Sequence, residues 1–452
     1  MALPALIEIV PPGKPREAQI TVPGSKSITN RALVLAALAG GETVLPGALW
    51  SEDTQVMVEC LQELGFMVNV EADPGEPGNR TLTVYGKGGE VPRGGTQAQP
   101  LDLFVGNAGT AARFLTAFLA LGSGVYRLHG VPRMHERPQA ALFHALRELG
   151  YRVDSSNDKL PALVHGGGPR PGTCRVSILE SSQFASALLL SGRVGGWRVE
   201  VAGENADESP YVVLTEKMLA AFPQSGGRFA IEADASSASY FCAAGQLRKL
   251  THADRAAALS GRAGDDPIRI TRWPHSGWQM DERFPALFTG APGAAGTTQT
   301  GLTFRQTTVS RRSDLGDSIL TAMILAPFAS DTITFTDLGR LRLQECERVH
   351  AMRAELTKCG ARVVEQNNTL IISPSALHNA EIETYDDHRI AMCFAVLGLA
   401  VPGIRIRQPA CVKKTFPNFF QKLAAPAPAG LGASIRDALT GKALYGQELF
   451  AD

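Results

Sequence analysis

The chain has 452 residues, 44% of them hydrophobic and 19% charged, with 44 basic residues set against 44 acidic ones. That length favours two domains, or one pseudo-repeated body, over a single core. The balanced charge excludes a bulk field that would draw the chain to nucleic acid or a membrane surface. The N-terminal MALPALIEIVPPGK has neither the basic start nor the long apolar run of a signal peptide, and no stretch reaches the ~20 apolar residues of a membrane span. Seven cysteines in no CxxC or metal-ligand spacing read as reduced packing residues. Together these features predict a cytoplasmic protein.

In chain order, one pattern recurs. A short loop of small or polar residues opens a helix that is apolar almost all round: SKSITNRALVLAALAGG from Ser25, GNAGTAARFLTAFLALGSG from Gly106, ESSQFASALLLSG from Glu180, DASSASYFCAAG from Asp234, DLGDSILTAMILAPFA from Asp314 and YDDHRIAMCFAVLGLAVPG from Tyr385. A helix apolar on every face is buried. Its opening loop must still find partners for its backbone groups, at the surface or in a cleft. Between these lie amphipathic helices that end on Gly65, Gly150 and Gly360 and run into alternating strands, the glycine suiting the left-handed position just past a helix. Repetition of this order predicts an α/β protein of six βαβαββ units whose buried helices end at common interfaces. The last stretch, APAPAGLGASIRDALTGKALYGQELFAD, departs from the pattern. It reads as a Pro/Ala/Gly-rich linker and tail over 425–452 with one short helix.

Most of the polar residues in these loops have an ordinary structural explanation when taken singly. Lys26 and Arg31, flanking Ser27, suit surface charges. Asn107 and Gly109, with Arg113 after them, suit a tight turn and cap. Ser181, Ser182 and Gln183 suit a helix cap, as does Asp317. RMHERP (133–138), QECER (344–348) and KKTFP (413–417) suit solvated faces. Asp387-His388-Arg389, at the mouth of a wholly apolar helix, is harder to place without partners. The conjunction decides. Lys26, Arg137, Arg348, Arg389 and Lys414 come from five separate segments, each beside a turn or helix start, where exposed N–H groups and cations together suit an anion. No GxGxxG, Walker loop or HExxH accompanies them.

On PGSKSITNRALVLAAL, GNAGTAARF, RMHERP, SSQF, DASSASYF, GDSILTA, ECER, DDHRIAM and KTFP, in that order between about residues 17 and 424, the chain resembles the enolpyruvyl transferase family, in its EPSP synthase branch. The resemblance implies two domains of three βαβαββ units each around buried parallel helices. One would comprise 23–233 and the other 1–22 with 234–424, with substrates taken into a closing cleft. It implies transfer of the enolpyruvyl group of phosphoenolpyruvate (PEP) to the 5-hydroxyl of shikimate 3-phosphate, releasing phosphate, with no metal or organic cofactor and only small-molecule partners. By resemblance, PEP is held by Lys26, Arg137, Gln183, Arg348, Arg389 and Lys414, with Asn107 and Gly109 shaping the pocket. Asp317 and Glu345 handle protons, assisted by Lys26. The acceptor is held by Ser27, Arg31, Ser181, Ser182, Gln183, Tyr211 and Asp317. Retention of Gly109 implies competition by glyphosate, which occupies the family's PEP site. The pairing Lys26-Ser27 disfavours the UDP-N-acetylglucosamine enolpyruvyl transferases, which carry asparagine after the lysine.

Three acceptor-side positions depart from the family pattern. Glu208 stands where a serine bonds the acceptor phosphate, Gln344 where a lysine contacts the acceptor, and Arg340 where an asparagine is usual; the segment AAFPQSGGRFAIEAD is also shorter than the family's. A carboxylate beside a phosphate in a poorly solvated site costs several kcal/mol. The sequence therefore keeps three readings open. The chain is an EPSP-type transferase with a repacked phosphate site, a transferase for a different and non-phosphorylated cyclic hydroxy acid, or an inactive homologue with a binding role.

Overall fold

The computed structural model describes residues 3–12, 17–202, 209–251, 268–288 and 301–451. Glu208 lies outside the described residues. The chain separates into two compact units, Pro23–Ala233 and Met1–Val22 with Asp234–Asp452.

In the unit Pro23–Ala233 the helices Lys26–Leu38, Gly109–Ala120 and Ser182–Gly195 pack against one another. Eleven of the thirteen residues of the first and all twelve of the second are buried, as the apolar runs that follow their polar opening turns require. Fully burying Phe114, Leu115 and Phe118 contributes about 1.5–3 kcal/mol each, so packing holds these helices more than propensity does. Two four-stranded sheets belong to the unit. One runs Gly227–Arg228, Gly40–Leu49, Asn79–Lys87, Val68–Ala72, and the other Leu101–Phe104, Val125–His129, Ala162–His165, Arg152–Asp154.

The second unit repeats this arrangement. Helices Ala235–Thr251, Ile319–Met323 and His388–Leu397 are in mutual contact. Its four-stranded sheets run Glu381–Ile382, Ile404–Arg407, Leu6–Val10, Ser434–Asp437 and Thr308–Ser310, Ile333–Thr336, Thr369–Ser373, Arg362–Gln366. In all four of these sheets the first pair is parallel and the next two are antiparallel. Gly65, Gly150 and Gly360 take φ of +90°, +82° and +95°, the left-handed exit from a helix into a strand.

Two segments differ from their sequence reading. The helix expected over DLGDSILTAMILAPFA is split into Ile319–Met323 and a 3-10 turn Ala326–Phe328. Pro327 explains the break, since its ring would clash with the Met323 carbonyl four residues earlier. Residues 425–452, read as a tail, supply the edge strand Ser434–Asp437, paired antiparallel with Leu6–Val10. Ile435, Leu444 and Leu449 are buried there, but a four-residue strand among glycines and prolines leaves too short an alternation to read. The seven cysteines are free thiols, five of them buried. Among the described residues no helix is long and apolar enough to cross a membrane.

Candidate active-site clusters

In each unit the opening turns of the buried helices are joined by polar side chains. In Pro23–Ala233, Gln183 donates from Nε2 to Thr110 Oγ1 (3.1 Å) and accepts from Arg113 Nη1 (3.4 Å), linking the Ser182 and Gly109 helix starts. Ser181 caps its helix by accepting from Gln183 N (3.2 Å), and Ser182 behind it is buried. Arg113 also donates to the Pro138 carbonyl (3.1 Å), and Arg137 donates to the Asn107 carbonyl (3.1 Å) and to Asn107 Oδ1 (3.4 Å). Both guanidiniums lie against Gly109. A Cβ there would stand 2.4 Å from Arg113 Nη1 and 2.6 Å from Arg137 Nη2, so only glycine admits this approach.

Lys26 opens its helix and pairs with the buried Asp53 at 2.9 Å. Arg31, one turn on, is buried. It donates to Thr215 Oγ1 (2.8 Å), Ser186 Oγ (3.0 Å), the Ser27 carbonyl (2.9 Å) and the Tyr211 carbonyl (3.5 Å). Arg31 thus ties three helices together, a structural duty the sequence did not reveal.

The second unit holds a denser charge cluster. Arg348, 1% exposed, reaches Asp387 from Nε (2.7 Å), Glu345 from Nη2 (2.9 Å) and Asp317 from Nη1 (3.9 Å), and it donates to Gln344 Oε1. Arg389 Nη2 stands 3.1 Å from Asp317 Oδ2, and the buried Arg311 Nη2 stands 3.3 Å from Asp317 Oδ1. Lys414, ending the turn Pro409–Lys414, lies 3.9 Å from Glu345. Arg340 is buried on the 3-10 turn Gly339–Leu343 that leads to Gln344. Asp317 is not the helix cap, which is Ser318, so its carboxylate is left for the arginines.

Burial pushes the Asp317 carboxyl up, but Arg389, Arg348 and Arg311 outweigh it and hold the group well below the usual carboxylate range. Burial opposes the charge on Arg348, and Asp387, Glu345 and Asp317 more than restore it. Asp387 caps the His388–Leu397 helix by accepting from Arg389 N (2.8 Å). The loop before it carries left-handed Tyr385 (φ 54°) and Asp386 (φ 52°), a conformation costing on the order of 1–3 kcal/mol per residue. The buried Glu355 holds it, accepting from the Tyr385 hydroxyl (2.9 Å) and Glu383 N (3.1 Å).

Four cations, Arg311, Arg348, Arg389 and Lys414, therefore meet three carboxylates, Asp317, Glu345 and Asp387. The gathered guanidinium and ammonium groups suit an anionic ligand, and the carboxylates among the arginines suit proton transfer. Of the cluster, Arg311 and Asp387's part in holding Arg348 escape sequence reasoning, as does Asp53 in the other unit. Arg311 has one signal, its place six residues before Asp317 in VSRRSDLGD.

A sequence model of EPSP synthase (3-phosphoshikimate 1-carboxyvinyltransferase) matches residues 10–251 and 286–423. A protein of Laribacter hongkongensis named 3-phosphoshikimate 1-carboxyvinyltransferase is 39% identical over 439 residues, 90% of this chain and 96% of that one. One of Nostoc sp. with the same name is 35% identical over 93% of this chain and 98% of that one. Among solved structures, an EPSP synthase from Acinetobacter baumannii aligns with TM-score 0.65 at 21% identity, over 95% of this chain and 99% of that one. The enolpyruvyl transferase NikO from Streptomyces tendae aligns with TM-score 0.64 at 16% identity, over 96% and 99%. At those identities the two structures speak to the fold alone.

Proposed function

The chain belongs to the EPSP synthase family of transferases, which move the enolpyruvyl group of PEP to shikimate 3-phosphate and release phosphate, and from that premise we propose which side chains do the work. PEP carries up to three negative charges in a small volume, so enclosing it calls for compensating cations. The convergence of Arg311, Arg348, Arg389 and Lys414 on Asp317 and Glu345 is the observation that carries the assignment. PEP binding is assigned to Arg348, Arg389 and Lys414 in one unit, and to Lys26, Arg137, Gln183, Asn107 and Gly109 in the other. The reading also takes the two units as domains of three βαβαββ units each, on the recurrence of one strand order in four sheets. It places the protein in the cytoplasm, on its reduced cysteines.

The reaction protonates the PEP methylene carbon while the acceptor hydroxyl loses its proton and its oxygen bonds the adjacent carbon. A tetrahedral ketal phosphate results. Loss of the proton from the new methyl group then expels phosphate and restores the double bond. Glu345, Asp317 and Lys26 are assigned these transfers. Ser27, Arg31, Ser181, Ser182, Gln183, Tyr211, Asp317, Arg340 and Gln344 are assigned to the acceptor side. Gln344 lies on Arg348, so a neutral amide in place of a lysine leaves the cluster's positive charge to the arginines and Lys414.

The direct test is phosphate release from PEP with shikimate 3-phosphate and, in parallel, with shikimate. Turnover of the phosphorylated acceptor is expected. Turnover of shikimate alone would overturn the acceptor and return Glu208 to the argument, and silence with both while PEP still binds would favour the inactive reading. A second expectation concerns Gly109→Ala. Its methyl group would press on two guanidinium tips that can yield, so the protein folds but Arg113 and Arg137 shift. We expect KM for PEP to rise about tenfold or more with a smaller change in kcat, the pattern of weakened uniform binding. An unchanged KM would take Gly109 and Arg137 off the PEP site.

A further inference from the structure

We propose that Asp281 is a positioning residue for Asp317, fixing its backbone from both sides. Asp281 sits on the 3-10 segment Met280–Leu287 and is buried. Its Oδ1 accepts from Gly316 N (2.7 Å), Ser318 N (3.3 Å) and Ser318 Oγ (2.5 Å), and its Oδ2 accepts from Ser236 Oγ. The two N–H groups belong to the residues on either side of Asp317. One carboxylate oxygen therefore pins both neighbouring residues, and the Asp317 side chain has only its own two torsions left to set. Those settle it 3.1 Å from Arg389 and 3.3 Å from Arg311, distances that a shift of about 1 Å would break.

The arrangement is more than a satisfied core carboxylate. Burial pushes the Asp281 carboxyl up, and the hydroxyls of Ser236 and Ser318 oppose that push. An apolar side chain would avoid the cost of burying a carboxylate, and the four donors here converge from two helix openings. Ser236 belongs to the Ala235–Thr251 helix, whose Ser239 also donates to Thr321 Oγ1 at 3.0 Å, in the helix that follows Asp317. Asp281 thereby registers the Asp317 loop against a second buried helix.

The inference rests on Asp317 working in the reaction, and the experiment separates the two. Steady-state kinetics are measured for Asp281→Ala, Asp281→Asn, Ser318→Ala and Asp317→Asn, and for the first three in the Asp317→Asn background. Asp281→Ala lowers kcat by about 30–100-fold, the scale of a displaced catalytic group, with a smaller change in KM. Asp281→Asn keeps an acceptor oxygen toward Gly316 and Ser318 and stays within about fivefold of wild type. Both Asp281→Ala and Ser318→Ala lose their effect once Asp317 is Asn, since residues acting through one group are not additive. An impaired Asp317→Asn enzyme to which Asp281→Ala adds its full loss overturns the inference alone, as does Asn proving as damaging as Ala. An Asp317→Asn enzyme as active as wild type sinks the role of Asp317 and the inference with it. If Asp281→Ala does not fold, Ser318→Ala, which keeps the carboxylate and its other three donors, carries the same comparison.

Discussion

Arg389→Ala lowers kcat/KM for PEP by roughly 10²–10³-fold, the loss expected when one member of a largely desolvated, hydrogen-bonded charge pair is truncated. Arg389 is the informative arginine because of what it leaves behind. Among the described residues its guanidinium has one ion pair, with Asp317, whereas Arg348 has three. Removing Arg348 would strand the buried Asp387 at the base of an apolar helix, a cost of about 3–5 kcal/mol that would mix stability with function. Removing Arg389 leaves Asp317 on Arg311 and Arg348, so the fold survives and the kinetic loss can be read directly. The stability change has its own sign. Asp317 is half-buried with a depressed pKa, so its contribution is fully present above the ordinary carboxylate value of about 4 and is lost as pH falls through the folded value. Taking away Arg389 raises that folded value and shrinks the contribution. Acid unfolding of Arg389→Ala, followed by circular dichroism, therefore begins at a higher pH than wild type. An unchanged kcat/KM for PEP would remove Arg389 from the site, whatever the acid titration shows.

What the sequence disclosed and what it withheld differ by range. The buried helices were legible because Lys26–Leu38, Gly109–Ala120 and His388–Leu397 are apolar almost all round past their opening turns, a property of consecutive residues. The cations were legible because each sits beside a turn or helix start. Which carboxylate each cation meets was not, because pairing is made by the fold. Asp53 meets Lys26 across 27 residues of chain, and Asp281 reaches Gly316 across 35. Arg31 shows the same limit from the other side. Its sequence context suggests an anion, yet its donors reach Thr215 and Ser186, 184 and 155 residues away. Short elements failed for want of period. Ser434–Asp437 is too brief to show alternation, and Pro327 breaks a helix whose apolar pattern continues past it. The candidate site was thus readable as a set of charges but not as a circuit.

Glu345→Gln separates the two duties of that circuit. Glu345 Oε2 stands 2.9 Å from Arg348 and Oε1 3.9 Å from Lys414. As a charge it balances those cations, and as a carboxylate it is assigned proton transfer. Glutamine keeps an acceptor oxygen for Arg348 but cannot carry the proton. It also removes one negative charge from beside Arg348 and Lys414, which favours a phosphate-bearing anion. The expected result is a kcat lower by roughly 10²–10⁴-fold, the range for loss of a general acid or base, with KM for PEP unchanged or reduced. Equal losses in kcat and kcat/KM would accompany an interaction made only in the transition state. The opposite split, a raised KM with kcat intact, would mean that Glu345 orients Arg348 and Lys414 for binding, and proton transfer would pass to Asp317. Asp317 is held ionised by three guanidiniums, so it would enter that role as a base and would have to draw its proton from the acceptor hydroxyl.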